Sequence, residues 1–167
     1  MIHKCLLVIS IAFVITLTLC GFSFADDDLK DLTAGASSTA NLRINSTTVT
    51  FLNADPDTTP VITASEGPIF ITAKAKTSKG STATLTVVAG GDLTSGGNTI
   101  AITSITWTAT GSGFVPAGTL SKTTPKTVGS WTGSGNRIGT VTFRLANAWS
   151  YVTGTYSATL TFTLTAP

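Results

Sequence analysis

After Ala25 the chain has no cysteine and no histidine: Cys5, Cys20 and His3 all lie within the first twenty residues. Nucleophile–base pairs of the Cys–His or Ser–His–Asp kind therefore cannot be assembled beyond that point. Zinc and copper lose their usual nitrogen and sulfur ligands as well. No disulfide can form within this part, so it must be held by its core. Charge is scarce too, at 11% of residues, and the net charge is +2 with no basic cluster. Nothing in it points to nucleic acid or an anionic membrane surface. Glutamate occurs once, as Glu66 in a Ser65-Glu66-Gly67-Pro68 turn. A two-carboxylate glycosidase pairing Glu66 with Asp55, Asp57 or Asp92 is the one enzymatic arrangement left, and the turn setting argues against it. The expectation is a non-enzyme with no cofactor.

What is present begins with a leader. Lys4 supplies a positive charge, an apolar run extends from Cys5 to about Cys20, and Ser23-Phe24-Ala25 precedes Asp26-Asp27-Asp28. That order reads as a secretory signal peptide over 1–25. A lipid anchor on Cys20 is the competing reading, but in Leu17-Thr18-Leu19 before it the bulky Leu19 stands where such a site has a small residue. The run is also short of the roughly 20 residues a membrane span needs, so no span is expected after cleavage. Residues 26–40 read as a flexible polar arm, and 41–167 as one domain of a size that buries a substantial core.

Threonine is the commonest residue after Ala25, and apolar residues recur among the threonines at period two. The pattern is plainest in Gly154–Thr165, where Tyr156, Ala158, Leu160, Phe162 and Leu164 share one parity and Ser157 and five threonines the other. Such alternation predicts a strand with Tyr156, Leu160, Phe162 and Leu164 in the core. Ile69–Lys76 and Ala83–Ala89, joined by Thr77-Ser78-Lys79-Gly80-Ser81, read as an antiparallel hairpin. Apolar parity changes between Ile100/Ile102 and Ile105/Trp107, which predicts a bulge at Thr103-Ser104. Several strands between Gly, Pro and Asn turns, with no helical period, predict an all-β, two-sheet antiparallel sandwich; a barrel is the alternative.

Two groups of side chains are candidate contacts. Trp131 in a Gly-Ser-rich stretch read as an exposed loop, with Trp149 and Tyr151, offers aromatic surface for sugar rings. Trp107 falls on the inward parity. Asp55 and Asp57, with Asn53 or Asp92, present oxygens to calcium, but their spacing matches no calcium loop and suits turn formation better, so no metal is expected.

The stretch Gly154-x-Tyr156-x-Ala158-x-Leu160-x-Phe162-x-Leu164 resembles the closing strand of pilin-type subunits of the fimbrial and spore coat U class. With Ala166-Pro167 it is also similar to the closing strand of WxL-type surface domains. The sequence departs from both: Ala166 stands where pilin-type subunits carry an aromatic, their cysteine pair is missing, and Phe162 stands where a WxL domain has tryptophan. The resemblance implies an immunoglobulin-like sandwich at the cell surface, polymerised by donating a strand to a neighbour. The arm 26–40 lacks the alternating apolar residues of a donor. The expected protein is a secreted structural or adhesive subunit, extracellular, surface-bound or periplasmic. Its partners would be itself in a homopolymer, other surface proteins, or glycans. A carbohydrate- or cell-wall-binding module is the alternative.

Overall fold

β-Branched residues alternating with aliphatic ones favour extended backbone along most of the chain, and a computed structural model shows that backbone built into two sheets. It describes residues 8–17, as backbone, and residues 37–167 in full. In chain order the strands are β1 (Val8–Leu17), β2 (Thr39–Ile44), β3 (Thr48–Phe51), β4 (Val61–Thr63) and β5 (Ile69–Lys76). There follow β6 (Thr82–Ala89), β7 (Leu93–Ser95), β8 (Asn98–Ile100) and β9 (Ile105–Thr110). The last four are β10 (Ala117–Thr119), β11 (Lys126–Thr132), β12 (Gly135–Ala146) and β13 (Thr155–Thr165).

One sheet runs β11-β6-β13-β1-β3, with β7 and β8 beside β13; the other runs β10-β9-β12-β5-β2, with β4 on β12. All pairings are antiparallel except β1 with β13. The inward parity of each sheet meets that of the other in one core, where Phe51, Ile71, Leu85, Ile105, Phe143 and Phe162 are almost wholly buried. The fold is an all-β sandwich, as the alternation predicts.

Three local expectations are corrected. β5 and β6 do not form a hairpin: β5 pairs with β2 and β12, and β6 with β11 and β13. The five-residue connection crosses from sheet to sheet, a distance of about 10 Å that such a link spans easily. The parity change before Ile105 is absorbed by a 3-10 turn over Ile102–Ser104, which keeps both Ile102 and Ile105 buried. A bulge does occur, but between Thr127 and Gly129 in β11. It brings Trp131 onto the inward parity, so this residue lies in a strand and is only 6% exposed.

The expected arm overlaps β2 at Thr39 and Ala40, whose backbone pairs with Lys76 and Ala75. The cleavage site after Ala25, Cys20, and residues 26–36 lie outside the described residues. Within the apolar run read as the leader's core, Val8–Leu17 forms β1.

Candidate functional site

β13 is the strand to which the rest of its sheet is attached. Tyr156, Leu160, Phe162 and Leu164 are each at most 1% exposed, and the Tyr156 hydroxyl donates to the Val152 carbonyl at 2.9 Å. One side of β13 is held by β6, from Leu160↔Ala89 to Thr165↔Thr84, and by β7 at Ser157↔Thr94. The other side is taken along nearly its whole length by β1, from Val8↔Thr155 to Leu17↔Leu164, running parallel. This register sets Ile9, Ile11, Phe13, Ile15 and Leu17 opposite Tyr156, Ala158, Leu160, Phe162 and Leu164.

The far wall of that strand position is β3, which pairs with β1 from Ile9↔Phe51 to Ala12↔Thr48. Its outer edge is closed without a strand. The Thr50 N–H donates to Glu66 Oε2 at 2.8 Å, and the Ser65 N–H donates to the Thr50 carbonyl at 2.9 Å. Alternate residues of a strand present their backbone groups to opposite sides. Thr50 therefore faces Glu66, while Val49 and Phe51, both 0% exposed, turn theirs toward β1. Burial pushes the Glu66 carboxyl up, but hydrogen bonds from the backbone and side chain of Thr50, with its own N–H and Ser65, outweigh this and leave it below its usual range.

The aromatic candidates do not share a platform. Trp131 pairs with Ala83 near the Thr165 end of the sheet, where the Arg137 guanidinium stands 6.0 Å from its ring centre. Trp149 and Tyr151 lie at the opposite end, in the segment leading into Thr155. Trp149 is 69% exposed and donates its indole N–H to Asp57 Oδ1 at 3.0 Å. Tyr151 is half-buried and donates to the Ala146 carbonyl at 3.0 Å. Asn147 joins the two loops here by donating from Nδ2 to the carbonyls of Ala54 and Thr59, both at 3.0 Å.

The four carboxylates between residues 37 and 167 each have a hydrogen-bonded place. Asp55 accepts from the Asp57 N–H at 2.9 Å in a local turn, and Asp57 accepts from Trp149. Asp92 accepts from the Lys122 ammonium and, at 3.0 Å, from the Ile102 N–H, and these donors hold its carboxyl below the usual range against the opposing effect of burial. Among the described residues no three His, Cys, Asp or Glu side chains come together as metal ligands, and no helix is long and apolar enough to cross a membrane.

Reasoning from sequence singled out β13 but missed the position beside it. The signal was present in the parity of Ile9, Ile11, Phe13, Ile15 and Leu17, hidden because Val8, Ala12 and Val14 are apolar too. Comparison with protein-family models finds no match for this chain, and comparison with curated proteins finds none either.

Proposed function

We propose that this chain is a secreted, non-enzymatic structural or adhesive subunit of the cell surface, and that it assembles through the strand position between β13 and β3. One observation carries this reading. The strand filling the position, Val8–Leu17, lies inside the segment that reads as a leader. A chain exported as residues 26–167 would therefore arrive with both the β13 and β3 edges open, and an open edge over an apolar core recruits another strand. The resemblance of Gly154–Thr165 to the closing strand of pilin-type subunits supports the same reading, with an immunoglobulin-like variant of the sandwich. The hydrogen-bonded places of Asp55, Asp57, Glu66 and Asp92 suit a structural role for these carboxylates.

Electron microscopy of the protein as released from its cells tests the proposal. Fibres or ordered surface assemblies containing this chain are the expected result; a free monomer in the medium would overturn it.

A second reading, carbohydrate binding, rests on Trp149. Its ring is exposed while its N–H is fixed by Asp57, an arrangement that suits stacking against a sugar face. Titration with cell-wall oligosaccharides should then quench the fluorescence of this one exposed tryptophan, and Trp149→Ala should abolish the change.

A further inference from the structure

Cations that stand apart in the sequence meet on one face of the fold. The strands of the β10-β9-β12-β5-β2 sheet, with β4, contain no aspartate or glutamate but carry Arg43, Lys74, Lys76, Arg137 and Arg144. Arg137 falls on the inward parity beside Trp131, and the other four are exposed on the outer face. Resting on the reading of the chain as an exported surface protein, we infer that the outer face around Arg43, Lys74 and Lys76 binds an acidic polysaccharide whose charges are uronic-acid carboxylates.

The strand register sets the spacing. Lys74 lies between Asn41 and Asn136, and Thr72, in the next row, lies between Arg43 and Ile138. Arg43 is therefore diagonal to Lys74, and Lys76 is the next residue on that face of β5. Diagonal and same-face neighbours both stand about 7 Å apart, so each of these positive charges lies within about one Debye length of the next. Among the described residues none of the three enters an ion pair; the one pair, Lys122 with Asp92, joins two loops.

Solubility does not account for this arrangement. Lysines commonly guard the edge strands of sheets, but Lys74 and Lys76 are on β5, which is paired on one side by β2 and on the other by β12. Like charges this close repel, and an anion lying across them removes the repulsion. Two large apolar groups share the face: Phe70 is 56% exposed and Ile138 60%, and the two are diagonal neighbours. Phe70 is held in place by Asn45, whose N–H donates to the Phe70 carbonyl at 3.1 Å and whose Oδ1 accepts from the Phe70 N–H at 2.8 Å.

The track from Phe70 to Lys76 is flat and about 20 Å long, and it interleaves the cations with Asn41, Asn136 and Thr72. Amides and a hydroxyl match sugar hydroxyls, cations match carboxylates, and the Phe70 ring offers its face to a pyranose. The charges are set too far apart for a nucleic-acid strand, which carries one about every 3.4 Å, and a single aromatic is no platform for successive bases. Two apolar side chains are too few to enter a bilayer. A face in mid-sheet offers neither the edge nor the groove by which peptides dock. A polymer with well-separated single carboxylates along a chain of sugar rings fits all of these features.

Titration of the full chain with polygalacturonate at low salt tests the site. Binding should be saturable and should weaken as salt rises. Lys74→Gln with Lys76→Gln should weaken it about tenfold, as should Arg43→Gln with Lys74→Gln. Phe70→Thr, which keeps every charge, should weaken it about threefold. Lys122→Gln with Lys126→Gln, an equal charge change elsewhere, should leave it within about twofold, and so should Trp149→Ala. All of these side chains are exposed, so unaltered thermal midpoints will show that each variant folds.

Absence of binding would overturn the inference, and equal losses from both lysine pairs would overturn it by leaving net charge as the cause. Loss through Trp149→Ala with none through Lys74 and Lys76 would move the glycan to the loops beyond the far end of β12, and would overturn it too. So would neutral dextran bound as tightly as polygalacturonate, or heparin or phosphatidylglycerol vesicles bound where polygalacturonate is not. Binding that appears only when Asp26, Asp27, Asp28 and Asp31 are changed to Asn would make the chain's own arm the occupant and overturn it as well. The result is separable from that of microscopy. Fibres on cells with no uptake of polygalacturonate would leave the assembly reading standing without this site, and uptake by a protein found only as free monomer would do the reverse.

Discussion

Glu66 does for β3 what a neighbouring strand would otherwise do, accepting the outward N–H of Thr50 while Ser65 donates to its carbonyl. Glu66→Ala should cost about 1 kcal/mol in urea unfolding, the usual net worth of such a bond, while Glu66→Gln, which keeps an acceptor, should cost less. The same contact has a pH signature. Hydrogen-bonded Glu66 and Asp92 both have folded-state carboxyls below their ordinary values. A group depressed in the folded state contributes stability above its unfolded pKa and loses that contribution as pH falls through the folded one. Unfolding midpoints should therefore be level from neutrality to about pH 5 and decline below about pH 4, where free carboxyls titrate. A Glu66→Gln, Asp92→Asn double variant should start lower and show a shallower decline; an unchanged acid limb would remove these groups from the account. Gly118 makes a different demand on its residue type. It pairs with Trp107 across β9 and β10, and a Cβ at Gly118 would overlap the indole ring. Trp107 is 2% exposed and has little room to retreat, so Gly118→Ala should lower stability by about 1–3 kcal/mol, as overpacking does.

Among the elements, β13 makes the sharpest claim. Leu160 and Phe162 are buried while Thr161, between them, is on the outer face. Leu160→Ala or Phe162→Ala should cost roughly 2–5 kcal/mol, a large share of the roughly 5–15 kcal/mol that holds a domain together. Thr161→Ala should cost less than about 1 kcal/mol. Retained stability in Phe162→Ala, measured by thermal unfolding, would mean that this face is not core. That β13 was legible follows from its clean alternation, which states the inward parity directly. Alternation does not name a strand's partner, and here sequence reading stopped. A connection of five residues serves a hairpin within one sheet or a crossing between two equally well, so Ile69–Ala89 reads either way while its inward residues remain the same. Trp131 was obscured differently. The bulge at Thr127/Gly129 moves the inward parity from Val128 onto Gly129 and Trp131, which a strict period of two does not foretell, and the surrounding Gly and Ser mimic a loop. The position beside β13 was the least legible feature, because a run apolar on both parities looks like a leader core and a fully buried strand at once. The register with Thr155–Leu164 gives these residues strand partners that periodicity alone does not name.

At the scale of the whole molecule, the reading of residues 1–25 as a leader and the fold lay claim to the same ten residues, Val8–Leu17. If residues 1–25 are removed on export, Cys5, Cys20 and His3 leave with them and the mature chain carries no thiol. Its stability is then the sum of a core, a ladder of backbone hydrogen bonds and whatever strand occupies the vacated position, with no covalent staple to compensate for a missing strand. Intact-mass measurement of exported protein should find a chain beginning at Asp26 and bearing no lipid. Its thermal unfolding should be superimposable with and without reductant, because there is nothing to reduce. Lipid on Cys20 would tether the chain at the membrane in place of releasing it. A midpoint that falls on reduction would require a disulfide, and the only two cysteines lie at positions 5 and 20. A disulfide joining two retained leaders would keep Val8–Leu17 with the chain that must otherwise give it up. The strand position would then remain filled from within, β3 would stay joined to β13 through β1, and no other polypeptide would be needed to complete the sheet.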